Sequence, residues 1–131
     1  MNDEQLMRLA VEAMPRAYAP YSNFQVGAAL LDESGAVHTG VNVENAAYPQ
    51  GSCAEAGAIA AMILQGGRHI ETIAVAGRGE GLCTPCGGCR QRIREFASPA
   101  TRILVGDENG IRQVFTLKDL LPASFGPDNL A

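Results

Sequence analysis

The sequence predicts an α/β layer fold, a mixed five-stranded sheet covered by helices on both faces, and three observations carry that expectation. Apolar spacing changes along the chain in the order α, β, β, α, β, α, β, β, a pattern of mixed layers. Two strand pairs are joined by connections too short for a crossover, Ser34-Gly35 and Gly106–Gly110, so strands 1/2 and strands 4/5 should be antiparallel. Finally, 131 residues with 47% hydrophobic content fill one core and leave no room for two, so residues 1–131 are expected to form a single domain. Pro122–Ala131 reads as an extended C-terminal tail.

The first helix should run from Asp3 to about Ala17. Leu6, Leu9, Ala10 and Ala13 share one face, and Asn2 with Gln5 matches a capping box. Pro15 lacks a backbone donor, so the helix should end or kink near Met14, before the turn-rich Ala19-Pro20-Tyr21-Ser22. Asn23–Asp32 is the first strand, with Phe24, Val26, Ala28 and Leu30 on one side. Val37, Thr39, Val41 and Val43, spaced by two, make the second, which should end at Glu44. Because strand side chains alternate, Asn42 and Glu44 project to one face, where such a polar pair can hold a ligand. Ser52 opens the second helix, whose Ala58, Ile59, Met62 and Ile63 form a stripe that closes at Gly66-Gly67. Nearly all of this helix is small or apolar, so it should be buried against the sheet, another subunit or both. Glu71–Gly77 is the third strand. Thr84-Pro85 supplies an N-cap and a first-turn proline for a third helix reaching about Ala97. Arg102–Val105 and Ile111–Thr116 complete the sheet, and Lys118–Leu121 makes a last turn.

The charge balance narrows the function. With 10 basic and 14 acidic residues the net charge is −4, which disfavours a broad electrostatic footprint for nucleic acid and suits a small or neutral partner. No stretch approaches about 18 consecutive apolar residues, and the opening MNDEQLMRLA is polar and acidic, so neither a membrane span nor export is expected. A cytoplasmic location is therefore expected. There, the four cysteines are better suited to metal binding or catalysis than to disulfides.

Cys86 and Cys89, three apart, lie on one face of a helix start, and Cys53 is expected one residue inside the second helix. Helix N-termini present unpaired amides and a positive dipole end, both of which stabilise thiolates. Three thiolates at two helix starts can occupy three corners of a tetrahedral zinc and leave the fourth open for water, which is the arrangement of a catalytic site. Iron accepts the same donors, but soft thiolates around a tetrahedral opening favour zinc. Glu55, two residues after Cys53, falls near the metal without being obliged to bind it, where a general base belongs. Simpler readings remain open at this point: Ser52 and Glu55 fit an S-x-x-E capping box, and Cys86-x-x-Cys89 alone is a redox pair or half of a structural zinc site. The combination is more specific. Cys53-Ala54-Glu55, followed about thirty residues on by Pro85-Cys86-Gly87-Gly88-Cys89, is the pattern of zinc deaminases with Cys replacing the first His.

These motifs, with Ala19–Ala29 (APYSNFQVGAA) and Asn42-Val43-Glu44-Asn45-Ala46, resemble the short-chain cytidine deaminases, a homotetrameric zinc-dependent branch of the cytidine/deoxycytidylate deaminase superfamily, over nearly the whole chain. The resemblance implies a three-layer α-β-α cytidine deaminase-like fold and one Zn²⁺ per subunit on Cys53, Cys86 and Cys89, with Glu55 as proton shuttle. Asn42 and Glu44 match the family's ribose-holding pair, Phe24 its aromatic packed on the pyrimidine, and the Ala54 amide its donor to the base carbonyl. Ala46 and Tyr48 of a neighbouring subunit would approach the sugar, and Phe125 would close the pocket across an interface. The implied reaction is hydrolytic deamination of cytidine and 2′-deoxycytidine to the uridines and ammonia in pyrimidine nucleoside salvage. Hydroxide on zinc attacks C4 while Glu55 carries the proton to N3 and then to the leaving amine.

One position departs from the family pattern: close relatives often carry Arg after the catalytic Glu, where this chain has Ala56. Zinc with three thiolates keeps surplus negative charge that something must offset, and Arg90, beside Cys89, together with the helix dipoles is the expected source. His38 and His69 have no ligand-like spacing and read as surface or strand-end residues. Cys83 reads as a small buried residue, and Arg90, Arg92 and Arg94 chiefly as a solvated helix face. Competing functions are deamination of another aminated nucleoside or nucleoside antibiotic, a non-catalytic zinc-binding module, and thiol redox exchange through Cys86 and Cys89.

Overall fold

A computed structural model describes all 131 residues, Met1–Ala131. The elements are α1 (Asp3–Ala13), β1 (Val26–Asp32), β2 (Val37–Val41), α2 (Ala54–Leu64), β3 (Ile70–Gly77), α3 (Gly87–Glu95), β4 (Arg102–Asp107), β5 (Gly110–Thr116) and the single turn α4 (Leu117–Leu120). The five strands form one sheet in the order β2-β1-β3-β4-β5, in which only β3 and β4 are parallel. The predicted antiparallel pairs 1/2 and 4/5 are both present. No helix is long and apolar enough to cross a membrane.

Strand alternation divides the core into two layers. Leu30, Ile73, Val75, Ile103 and Val105 point to the face covered by α2 and α3, where Ala58, Met62 and Ile93 meet them. On the other face Ala29, Ala74, Ala76 and Leu104 receive Leu6, Met7, Ala10 and Met14. The alanines on that side let α1 lie close to the sheet, and a Cβ on Gly27 would collide with the Ala10 carbonyl. The second close approach matters more for function. Gly40 of β2 lies against the first turns of α2, so a Cβ there would strike Ala54 O and Ala58 N. This missing side chain sets how near the start of α2 comes to the sheet.

Several boundaries differ from the sequence expectation, each for a local reason. The capping box of Asn2 and Gln5 forms, but α1 ends at Ala13 and Pro15 sits in a 3₁₀ turn, Met14–Arg16. β1 starts at Val26 because Asn23, at φ 57°, is left-handed and ends a turn. β2 stops at Val41, since Val43 leaves the hairpin to exchange backbone hydrogen bonds with Ser52, at 3.0 and 2.9 Å. Ser52 is thereby held in a bridge, and Cys53, not Ser52, is the N-cap of α2 and lies just outside it. Likewise α3 begins at Gly87 with Cys86 as N-cap, later than Thr84-Pro85 suggested, and ends at Glu95. The tail is not simply extended: it makes a 3₁₀ turn at Pro127–Asn129 and is tied to α3, where Gln91 Nε2 donates to Phe125 O at 2.9 Å and Arg94 Nε to Ser124 Oγ at 2.9 Å.

His38 is buried, not on the surface, because it partners Asp32 across the hairpin, with Nε2 to Oδ2 at 2.7 Å. Asp32 also accepts from Ser34 N at 2.8 Å, Ser34 Oγ at 2.6 Å and Ala36 N at 3.1 Å, so one carboxylate organises the whole turn. The Ser34 hydroxyl first, then His38 and the two amides, hold its carboxyl well below the ordinary range against the opposing effect of burial.

Two outcomes are expected. Gly40→Ala should destabilise the protein by about 1–3 kcal/mol in urea unfolding, because the wedge forces β2 and α2 apart. For Asp32→Asn, the folded carboxyl titrates below its unfolded value, so its stabilisation is full above about pH 4–5 and is lost as pH falls toward the folded value. The stability gap between the native protein and Asp32→Asn should therefore shrink as pH falls below about 4–5; a gap that widens in acid would contradict the assignment.

Candidate active site

The two helix N-termini converge. Cys53 follows Ser52, which bridges to Val43, and caps α2, whereas Cys86 caps α3 and Cys89 lies in its first turn. The sulfur atoms of Cys53, Cys86 and Cys89 all lie within 4.8 Å of one another, with Cys53 and Cys86 at 3.9 Å, and none is in a disulfide. Zn–S bonds of about 2.3 Å in a tetrahedron place sulfurs about 3.8 Å apart, so this cradle has the span zinc needs. The cluster comprises these three residues and includes neither Glu55 nor Cys83. Three ligands leave one corner of a tetrahedral site for water or substrate, as a catalytic zinc has.

Glu55 is 4% exposed, in the first turn of α2 behind the cysteines. It is not a cap: α2 has no side-chain cap hydrogen bond, which removes the capping-box reading. Burial pushes its carboxyl above the ordinary range, opposed by its own backbone amide, the Arg92 guanidinium and the Cys89 thiol. Burial also pushes the Cys53 and Cys89 thiols up, and only Cys86 is lowered, chiefly by the Cys89 amide. The general lowering expected at helix starts is thus confined to the cysteine that receives an amide hydrogen bond. A metal cation entering the cradle must displace the remaining thiol protons.

In front of the cluster opens a cleft of about 400 Å³, lined among others by Phe24, Asn42, Glu44, Ala54, Glu55 and Cys86. Asn42 and Glu44 share it, as their alternation predicts, and both are also anchors. Asn42 Oδ1 accepts from Val26 N at 2.8 Å and its Nδ2 donates to Phe24 O at 2.9 Å. Glu44 Oε1 accepts from Tyr21 N at 2.9 Å and Ser22 N at 3.1 Å, and Oε2 accepts from the Ser22 hydroxyl. That hydroxyl first, and then the two amides, hold Glu44 below the usual carboxylate range. One amide hydrogen of Asn42 and lone pairs of Glu44 remain for a ligand. The two carboxyls of the cleft are therefore pushed apart: Glu44 stays ionised, and Glu55 is biased toward holding a proton. Phe24, 43% exposed, forms one wall.

Three expected residues are elsewhere on this chain. Ala46 is exposed, Tyr48 is 72% exposed and packs edge-on against Tyr21, and Phe125 is 58% exposed on the tail. None lines the cleft of its own chain. Arg90 does not face the thiolates: its guanidinium is committed to Pro85 O at 2.7 Å, Leu120 O at 3.0 Å and Thr84 Oγ1 at 3.3 Å. Arg92 is exposed, as the solvated-face reading expects, and its guanidinium also reaches back to Cys89 Sγ at 3.7 Å, whereas Arg94 grips the tail. Spacing held the signal, since 89 and 92 are one turn apart. Sequence reasoning also missed Ser22, the anchor of Glu44, and placed Cys83 outside the site although it lines the cleft. Gly77 makes room for Cys83: a Cβ there would come within 2.7 Å of Cys83 Sγ and 3.2 Å of Phe24 Cζ.

A three-thiolate cradle at two helix starts, with a buried carboxyl beside it and an open cleft in front, is the build of a zinc-dependent hydrolase. The comparisons agree. The cytidine and deoxycytidylate deaminase zinc-binding region matches residues 1–106. Cytidine deaminases from Halalkalibacterium halodurans and Sporosarcina psychrophila are each 38% identical, over 130 residues (99% of this chain, 98% of the relative) and 131 residues (100% and 96%) respectively. The crystal structure of cytidine deaminase from Burkholderia pseudomallei superposes with a TM-score of 0.90 at 41% identity, covering 95% of this chain and 100% of that one. The chain belongs to the cytidine and deoxycytidylate deaminase family.

With zinc bound, iodoacetamide at about pH 7.5 should label none of the four cysteines quickly. Three are metal ligands, and burial, with Glu55 and Cys53 as negative neighbours, pushes the Cys83 thiol up to about 11. Chelation should expose Cys86 first, as read by peptide mass spectrometry. Fast labelling of Cys83 before chelation would contradict its placement.

Proposed function

We propose that this protein deaminates cytidine and 2′-deoxycytidine hydrolytically, giving the corresponding uridine and ammonia in cytoplasmic pyrimidine nucleoside salvage. The observation that carries this reading is the buried Glu55 carboxyl beside the Cys53, Cys86 and Cys89 cradle, at the floor of a cleft whose wall bears Asn42 and Glu44. Zinc held by the three cysteines, one per subunit, supplies a Lewis acid that makes water ionisable near neutral pH.

The rest is the work of the chain. Asn42 and Glu44 hold the ribose hydroxyls, and Phe24 packs on the pyrimidine. The Ala54 amide, first in α2 and so without an intrahelical partner, donates to the base carbonyl. That leaves C4 and its amino group directed at the floor of the cleft. Glu55 takes a proton from the attacking water and delivers it to N3, which makes C4 electrophilic. With the water oxygen now bonded to C4, Glu55 takes the second proton from that hydroxyl and passes it to the exocyclic amine; the C4 carbonyl forms as the C4–N bond breaks, and ammonia leaves. Burial suits Glu55 to this shuttle by raising its affinity for the proton in transit.

Residues 1–131 act in this reading as one domain within a homotetramer. Ala46 and Tyr48 of a neighbouring subunit approach the sugar, and Phe125 closes the pocket across an interface. The exposure of all three on the single chain supports such a shared arrangement.

Glu55→Gln, at matched zinc content, should lower kcat for cytidine by at least about 10²–10⁴-fold with uridine formation as the readout. Absence of cytidine turnover by the zinc-loaded native protein would sink the proposal and direct the search to other aminated nucleosides.

A further inference from the structure

A divalent ion held by three thiolates leaves one surplus negative charge, and a carboxyl stands beside it. Ala56 contributes no countercharge, and the arginines nearest the site in sequence are differently occupied. Arg90 is tied to two carbonyls and a hydroxyl, and Arg94 to Ser124 and Asp128 of the tail. Arg92 alone among them touches a ligand sulfur, with Nη1 3.7 Å from Cys89 Sγ. It makes no salt bridge with any carboxylate. The geometry follows from the helix. Side chains lean toward the N-terminus, so residue 92 folds back over the turn that carries residue 89. Gly88 leaves the way open, since a Cβ there would stand 3.2 Å from Arg92 Nη1.

We propose that Arg92 is the positioning residue that supplies the countercharge for the Cys53, Cys86 and Cys89 thiolates and so retains the metal. It acts through the ligands and touches no substrate atom. This rests on the zinc reading above. Because Arg92 is exposed and fills no core space, its replacement removes charge without opening a cavity. Arg92→Gln keeps a polar side chain of moderate length but loses the charge, whereas Arg92→Lys keeps the charge.

The test measures zinc release from each protein to a chromogenic chelator, at low and high salt, beside the sulfur-to-cobalt charge-transfer absorption of the Co²⁺-substituted forms. Arg92→Gln should weaken zinc retention by about 10-fold or more and shift the charge-transfer band. Arg92→Lys should restore most of the retention. The difference between native and Gln forms should shrink as salt is raised, which a purely steric role would not produce. Melting of the metal-free proteins should coincide, showing that the fold is intact. Equal retention and unshifted bands in Arg92→Gln would overturn the proposal while leaving the zinc reading standing. So would an Arg92→Lys form as leaky as Arg92→Gln. A native protein that takes up no zinc would overturn both.

Discussion

The arrangement depends on bringing two helix starts together, and everything else in the molecule accommodates that demand. Cys53 and Cys86 each cap a helix, yet they are 33 residues apart in sequence and reach 3.9 Å only because of the sheet beneath them. The parallel pairing of β3 with β4 makes room for α3 as the crossover between them. The antiparallel hairpin β1–β2 feeds α2 to the same face. Gly40, pressed against the beginning of α2, fixes how close that helix approaches. A metal cradle assembled this way is a product of tertiary packing, although its ligands are read from short motifs.

Around that cradle the protein separates charges by environment. Glu44 and Glu55 line one cleft, but the first is surrounded by donors and the second by burial. One carboxyl thus serves as a fixed anion that also staples the Tyr21–Ser22 turn, and the other is suited to carrying a proton. Asn42 shows the same economy, since the amide that holds Val26 and Phe24 also faces the cleft. Cleft residues that double as structural anchors are already oriented, which would lower the cost of ordering them for any ligand that enters.

The fold and the metal cluster were largely legible in the sequence because they depend on local rules. Alternating valines, a capping box and a Cys-x-x-Cys at a helix start each express backbone periodicity. What stayed hidden depended on partners distant in sequence. Val43 continues the strand pattern, yet it pairs with Ser52, and this displaces both the strand end and the helix cap. His38 looked peripheral because nothing in its neighbourhood announces that Asp32 turns back to meet it. Arg90 and Arg92 are equally basic on paper, and only the helix surface decides that the first serves the Leu120 carbonyl and the second a sulfur.

The ties between α3 and the tail carry a mechanical consequence. At nine residues α3 is well under the length at which a helix persists by itself, so its helicity is borrowed from its attachments. One end is pinned through Cys86 and Cys89, and the other is splinted by residues 124–128 through Gln91 and Arg94. The last few residues, which commonly fray without effect, here brace the segment that carries two of the three cysteines. Trimming the chain from its C-terminus would therefore loosen the cradle from its far end, although none of the trimmed residues lines the cleft of its own chain.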